Sequence, residues 1–145
     1  MPSLYSSTDA LEIIYHRDHH ILIGRFLRPL SEEENHQCYL DLLAAAHARD
    51  NCRYWLLDIR RRGRSGPVVL QWLLHDFYPQ LQRELGTPAR LVYFMAPGLR
   101  EEFQLDGTVP EPSTYDLAES FRMHQCITER EAVDWLLEEQ AAQPA

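Results

Sequence analysis

A chain of 145 residues, 45 % hydrophobic and 25 % charged, can fill one core, and its net charge of −8 opposes general attraction to nucleic acid or anionic lipid. All fourteen basic residues are arginine, which removes the Walker A phosphate loops, Schiff-base enzymes and Ser-x-x-Lys hydrolases, since each needs a lysine. No apolar run approaches a membrane span, and Met1 to Asp9 lacks the basic and apolar regions of a signal peptide, so a cytoplasmic protein without an integral membrane segment is expected.

In chain order, Leu11 to Tyr15 and Ile21 to Phe26 read as two antiparallel strands joined by a polar hairpin tip, His16 to His20. Ser31 and Glu34 form a capping box, and Tyr39, Leu42, Leu43 and Ala46 recur at helical spacing up to Asp50-Asn51. Tyr54 to Ile59, apolar except for Asp58, predicts a covered strand. A helix starts near Pro67 and carries Leu70, Leu73, Leu74, Phe77 and Leu81 on one face, with a kink or short break expected at Pro79. Ala89 to Ala96 is a second covered strand after the stop Gly86-Thr87-Pro88. A short helix over Leu99 to Leu105, a loop over Asp106 to Ser113, a short helix over Tyr115 to Glu119 and an edge strand over Phe121 to Cys126 follow. Thr128 and Glu131 open a final helix containing Ala132, Val133, Trp135, Leu136 and Leu137, and the tail from Gln140 is expected to fray.

Chemistry concentrates where the strand ending at Ile59 meets the helix beginning near Pro67. Asp58, Arg60, Arg61, Arg62, Arg64, Ser65 and Gly66 fall in this stretch. Arginine can clamp a phosphate or carboxylate with two parallel bonds, and a helix N-terminus adds favourable potential, so these residues form the candidate anion- or partner-binding site. The bland alternative is a solvated loop with Ser65 as helix cap.

Other constellations carry less. His16, His19 and His20 flank Asp18 at the hairpin tip, but strand alternation sends adjacent histidines to opposite faces, and solvated turn residues account for them better than a metal site. Cys38, Cys52 and Cys126 make no Cys-x-x-Cys pair, and a reduced compartment with buried, unreactive thiols fits them. Trp55, Trp72, Phe77, Tyr93, Phe94 and Trp135 read as core, with a lipid or apolar-ligand pocket as the sharper alternative. No catalytic signature, metal site or cofactor site emerges.

The order strand, strand, helix, strand, helix, strand, short helix, strand, helix resembles the STAS-like or SpoIIAA-like superfamily. The resemblance rests on Leu57-Asp58 before the loop and helix, on Leu91 to Ala96 ending in Pro97, and on Phe121 with Glu131-Ala132 and Trp135-Leu136. It covers Leu11 to Glu138 and implies an α/β domain with a single mixed sheet of about five strands backed by helices. Residues 1–10 are then an N-terminal extension, 11–139 the domain and 140–145 a frayed tail. Members that act as anti-sigma-factor antagonists place a phosphorylatable serine or threonine directly after the aspartate; here Asp58 leads into the arginine loop and the nearest candidate is Ser65. The branch also resembles lipid-binding domains related to CRAL-TRIO. The resemblance implies a non-enzymatic regulatory or protein-interaction module, with a protein partner or self-association; the alternative is a carrier of a small apolar or anionic ligand, phosphate-bearing or lipid-like, whose head group the arginines hold.

Overall fold

Strand alternation and covered apolar runs assemble one mixed sheet in a computed structural model that describes residues 2–105, 114–118 and 121–143. Its strands are β1 (Pro2–Ser7), β2 (Leu11–His16), β3 (Ile21–Phe26), β4 (Tyr54–Asp58), β5 (Ala89–Phe94), β6 (Thr114–Ala118) and β7 (Phe121–Cys126). They lie in the order β1-β2-β3-β4-β5-β7-β6. The inner strands β3, β4, β5 and β7 run parallel, and β1, β2 and β6 pair antiparallel at the two sides. Every residue of β4 and β5 is buried, as their nearly continuous apolar sequences require.

The sheet is wider than the expected five strands. β1 adds a strand from the segment read as an extension, pairing with the hairpin in a register shifted at Leu4/Ser6. The expected short helix over Tyr115 to Glu119 is instead β6, Thr114–Ala118, with Glu119 outside the described residues. Pairing decides here: Tyr115 lies opposite Met123 in the ladder with β7, and a five-residue stretch has too little helical cooperativity to resist such a partner. β7 is consequently an inner strand and not the edge. The Asp106 to Ser113 loop lies outside the described residues.

Helix α1 (Glu32–His47) begins at the expected capping box: Glu34 N donates to Ser31 Oγ at 3.1 Å and Ser31 N donates to Glu34 Oε1 at 2.9 Å. Helix α2 (Gly66–Trp72) passes through a π-helical turn, Leu73–Phe77, into α3 (Tyr78–Leu85). Pro79 explains this break. It has no N–H for the carbonyl of His75, and the chain takes up the mismatch one turn earlier, where Tyr78 N donates to Leu73 O across five residues. Helix α4 (Pro97–Leu105) starts two residues before the expected boundary, and α5 (Glu129–Ala141) runs past Gln140. Gln140 is held and not frayed, since its Nε2 donates to the carbonyl of His19 at 2.8 Å and ties α5 to the hairpin tip. The tip is ordered by Tyr15 as well, whose hydroxyl lies 2.7 Å from His20 Nδ1. Among the described residues no helix is long and apolar enough to cross a membrane.

Strand parity separates two cores. Trp55, Leu57, Leu91, Tyr93, Phe121 and Met123 face α1, α2 and α3, with Leu99 and Phe103 of α4 packed against the same layer. Tyr54, Leu56, Val92, Phe94 and Cys126 face Ala132 and Leu136 of α5. The first layer is closely fitted at Gly24 on β3, where an added Cβ would lie 2.8 Å from Leu42 Cδ2 and 3.3 Å from Leu57 Cδ2. Both leucines are fully buried. Gly24→Ala should therefore lower the unfolding free energy by about 1–3 kcal/mol through overpacking. Urea titration checks it; an unchanged or raised midpoint would mean that α1 lifts freely off the sheet.

Candidate ligand pocket

The arginine loop leaves β4 by a turn in which Gly63 N donates to Ile59 O at 3.0 Å. Gly63 has φ +72°, a conformation that L side chains rarely adopt, so glycine suits this corner. The turn sends successive even-numbered arginines to different places. The sequence-predicted site residues do not form a single cluster.

Asp58 and Arg60 meet on the α5 side. Arg60 Nε donates to Asp58 Oδ1 at 3.0 Å and its Nη2 to Oδ2 at 2.8 Å, with its guanidinium over the Phe94 ring. Arg25, opposite Asp58 in the β3–β4 ladder, donates to Oδ2 at 3.0 Å and also reaches Glu129 at 2.6 Å. Burial raises the proton affinity of Asp58, but the bonds from Arg60 and Arg25 outweigh it, so the carboxyl titrates below its ordinary range. Arg61 is exposed, and Ser65, at the residue before α2, makes no side-chain cap bond.

Arg62 takes the opposite direction. It is 6 % exposed and inserts between the sheet and α1, with its guanidinium 4.7 Å from the Phe26 ring centroid. Nη1 donates to the Tyr39 hydroxyl at 3.0 Å and, at 3.5 Å, to Asn35 Oδ1; Nε donates to Gly63 O at 3.3 Å. No carboxylate among the described residues pairs with it, and its Nη2 donates to no described group. A buried cation ordinarily has a counter-charge, because taking a guanidinium out of water costs several kcal/mol.

Next to Arg62 lies a cavity of about 270 Å³ at the carboxyl ends of β4, β5 and β7. Ile59, Leu70, Leu73, Met95, Phe103 and Met123 give it apolar walls. Arg62, Arg64, Ser65, Tyr78, Tyr93 and Gln125 supply its polar atoms. The carboxyl ends of parallel strands are where open α/β sheets hold ligands, and few convergent polar groups in an apolar cavity is the common composition of such sites. Arg64 lies over the Phe103 ring at 5.0 Å, so α4 and the loop close the cavity from one side.

Two features in and behind the lining have no counterpart in the sequence reading. One is a hydroxyl chain: Tyr39 and Tyr93 are 3.0 Å apart, Tyr93 and Tyr78 are 2.5 Å apart, and Arg62 donates into the Tyr39 end. Burial pushes the Tyr93 phenol well above its ordinary proton affinity, with Tyr39 and Tyr78 adding to the effect, so it remains a neutral donor and acceptor. The other is Gln125, 4 % exposed, whose Oε1 has no hydrogen-bond partner. Its signal was available in principle, because Gln125 shares the inward parity of Phe121 and Met123, where a polar side chain breaks the apolar pattern.

The cysteines present no activated thiol. Burial pushes Cys38 and Cys52 up to about 11 and Cys126 up to about 12, far from the depressed values of nucleophilic cysteines. A second depression, around His124, Glu131 and Trp135, has its polar groups turned on each other: His124 stacks on Trp135 at 5.1 Å and lies 3.5 Å from Glu131 Oε2. Among the described residues no group of histidine, cysteine and carboxylate side chains is arranged to hold a metal ion. Compared with protein-family models, with curated proteins and with solved structures, the chain matches none.

Proposed function

We propose that this protein is a non-enzymatic, STAS-like binding module whose cavity at the carboxyl ends of β4, β5 and β7 receives a small amphipathic ligand. The single observation that carries the reading is Arg62, a buried arginine with no carboxylate partner among the described residues, beside about 270 Å³ of space walled by apolar side chains. An anionic head group would supply the missing counter-charge and the walls would cover its apolar body. The protonated thiols fit a binding role and offer nothing to a nucleophilic one.

Size narrows the ligand. At about 30 Å³ for each water-sized volume, the cavity of about 270 Å³ holds roughly nine, which is room for a compact metabolite of about ten non-hydrogen atoms and not for a diacyl lipid. Because the ligand would lie against Arg64, Ser65 and Gly66, its presence would be felt at the β4–α2 loop, the face that the STAS-like resemblance gives to partners. That connects the ligand-binding reading with a regulatory one.

Native mass spectrometry of freshly purified protein tests the binding reading. The expected result is a retained adduct of roughly 120–200 Da, on the order of nine to fourteen atoms, that disappears in Leu70→Trp, where a larger side chain fills the cavity. An adduct that survives Leu70→Trp places the ligand elsewhere, and chains empty in every preparation count against a carrier.

A further inference from the structure

We infer that the ligand is a compact apolar monocarboxylate that also bears one hydrogen-bond donor: its carboxylate lies on Nη2 of Arg62 and its donor on Oε1 of Gln125. The inference rests on the binding reading above and specifies its chemistry.

The head group follows from which parts of the guanidinium are already engaged. Nε is turned to Gly63 O and Nη1 to Tyr39 and Asn35, which leaves Nη2 as the nitrogen that donates to no described group. A guanidinium edge offers two-point recognition only when adjacent nitrogens are both available. Arg62 therefore presents one point of attachment and one positive charge. A monoanion with a single oxygen directed at Nη2 completes it. A phosphate, with a charge near −2 and three acceptor oxygens, would bring more negative charge and more acceptors than Arg62 answers. Arg64 lines the same cavity as a second positive charge, with its guanidinium over Phe103, so the phosphoryl probe below decides whether it answers a dianion.

The second group follows from Gln125. Its side chain lines the cavity from β7, is nine-tenths buried or more, and has an amide oxygen without a partner. A buried acceptor without a partner is costly; the oxygen lies just beneath the cavity surface, so a turn of the amide about its last bond brings it to a ligand hydroxyl or N–H that would satisfy it. Discrimination by such a group is strong, because a ligand lacking the donor leaves the acceptor unpaired on binding. Tyr93 lies opposite Gln125 in the β5–β7 ladder, and its hydroxyl is already bonded to Tyr39 and Tyr78, so it does not serve the amide.

The test is calorimetric titration of three donor-bearing acids, indole-3-acetate, 4-hydroxyphenylacetate and 2-hydroxyoctanoate. Each is compared with its primary amide and with its donor-less counterpart, benzofuran-3-acetate, phenylacetate or octanoate. At least one acid is expected to bind the wild type tenfold or more tightly than its amide and about fivefold more tightly than its donor-less counterpart. Arg62→Met should erase the first preference and leave amide binding in place, while Gln125→Leu should erase only the second. Acids and amides of equal affinity would overturn the carboxylate while leaving a ligand cavity intact, as would a retained adduct whose accurate mass contains no carboxyl group. Tighter binding of 4-hydroxyphenyl phosphate than of 4-hydroxyphenylacetate would overturn it in favour of a phosphoryl head. Failure of every probe together with an empty chain in native mass spectrometry would remove the binding reading itself.

Discussion

Arg62→Met should leave the ligand-free protein within about 1 kcal/mol of wild type, or make it more stable, whereas Arg62→Ala should cost about 2–4 kcal/mol. The difference isolates charge from volume. Methionine fills most of the space of the arginine stem and can stay against Phe26, while alanine leaves a void between the sheet and α1. Methionine gives up the 3.0 Å bond to Tyr39, whose hydroxyl keeps Tyr93 as a partner at 3.0 Å, and the longer bonds of 3.3 Å to Gly63 O and 3.5 Å to the buried Asn35 Oδ1. What it removes is a desolvated cation with no described carboxylate beside it. A protein that gains or holds stability when such a charge is deleted is one in which the charge serves binding. The same substitution should weaken an anionic ligand tenfold or more, since a charge-assisted bond contributes about 1.5–3 kcal/mol. Thermal and urea melts of both variants decide the matter. If Arg62→Met falls as far as Arg62→Ala, the guanidinium is a structural tie between the loop and α1, and the cavity is not an anion site built around Arg62.

This arginine also marks the limit of what the sequence could reveal. The sheet, its buried inner strands, both capping residues and the disturbance at Pro79 follow from local rules that act within a few residues: alternation, helical spacing, a side chain reaching back to its own helix start. β1 and β6 do not. Pro2–Ser7 and Thr114–Ala118 become strands because a neighbouring edge has unpaired backbone groups to offer, a tertiary fact absent from the segments themselves. The run Arg60 to Arg64 was legible as the place where charge gathers, but not as the place where it divides. Its division depends on the turn at Gly63 and on what each face offers, Asp58 and Phe94 on one side, Tyr39 and Phe26 on the other. A charge run is ordinarily solvated, and Arg61 fits that rule; Arg62 departs from it because Asn35 and Tyr39 of α1 lie within its reach. Tyr93 belongs to the core, as its apolar strand implies, yet its hydroxyl joins two other tyrosines from α1 and α3, a meeting that no sequence spacing encodes.

Asp58→Asn should lower stability by about 2–3 kcal/mol at neutral pH, roughly 5–10 °C in melting temperature for a domain of this size. Asp58 is 5 % exposed and takes hydrogen bonds from Arg25, from the Arg60 side chain and from the Arg60 backbone N–H at 3.2 Å. Arg25 would keep Glu129 at 2.6 Å, and Arg60, whose side chain is 49 % exposed, could turn to water, so the loss stays below that of a fully buried pair. The pH dependence has a definite sign. The folded carboxyl titrates below the ordinary value of 3.8, so its contribution is complete above about pH 5 and declines as pH falls past 3.8 and through the lower folded value. The gap between wild type and Asp58→Asn should accordingly be constant from pH 8 to about pH 5 and should narrow toward pH 3. Because Asp58 lies on the α5 side, ligand affinity in the cavity should be unaffected at neutral pH, in contrast to Arg62→Met. Urea unfolding of both proteins across this range measures the gap. A gap that is as wide at pH 3 as at pH 7 would show that the asparagine acts through lost packing and not through the ion pairs, and a fall in ligand affinity would mean that both arms of the arginine loop belong to a single site.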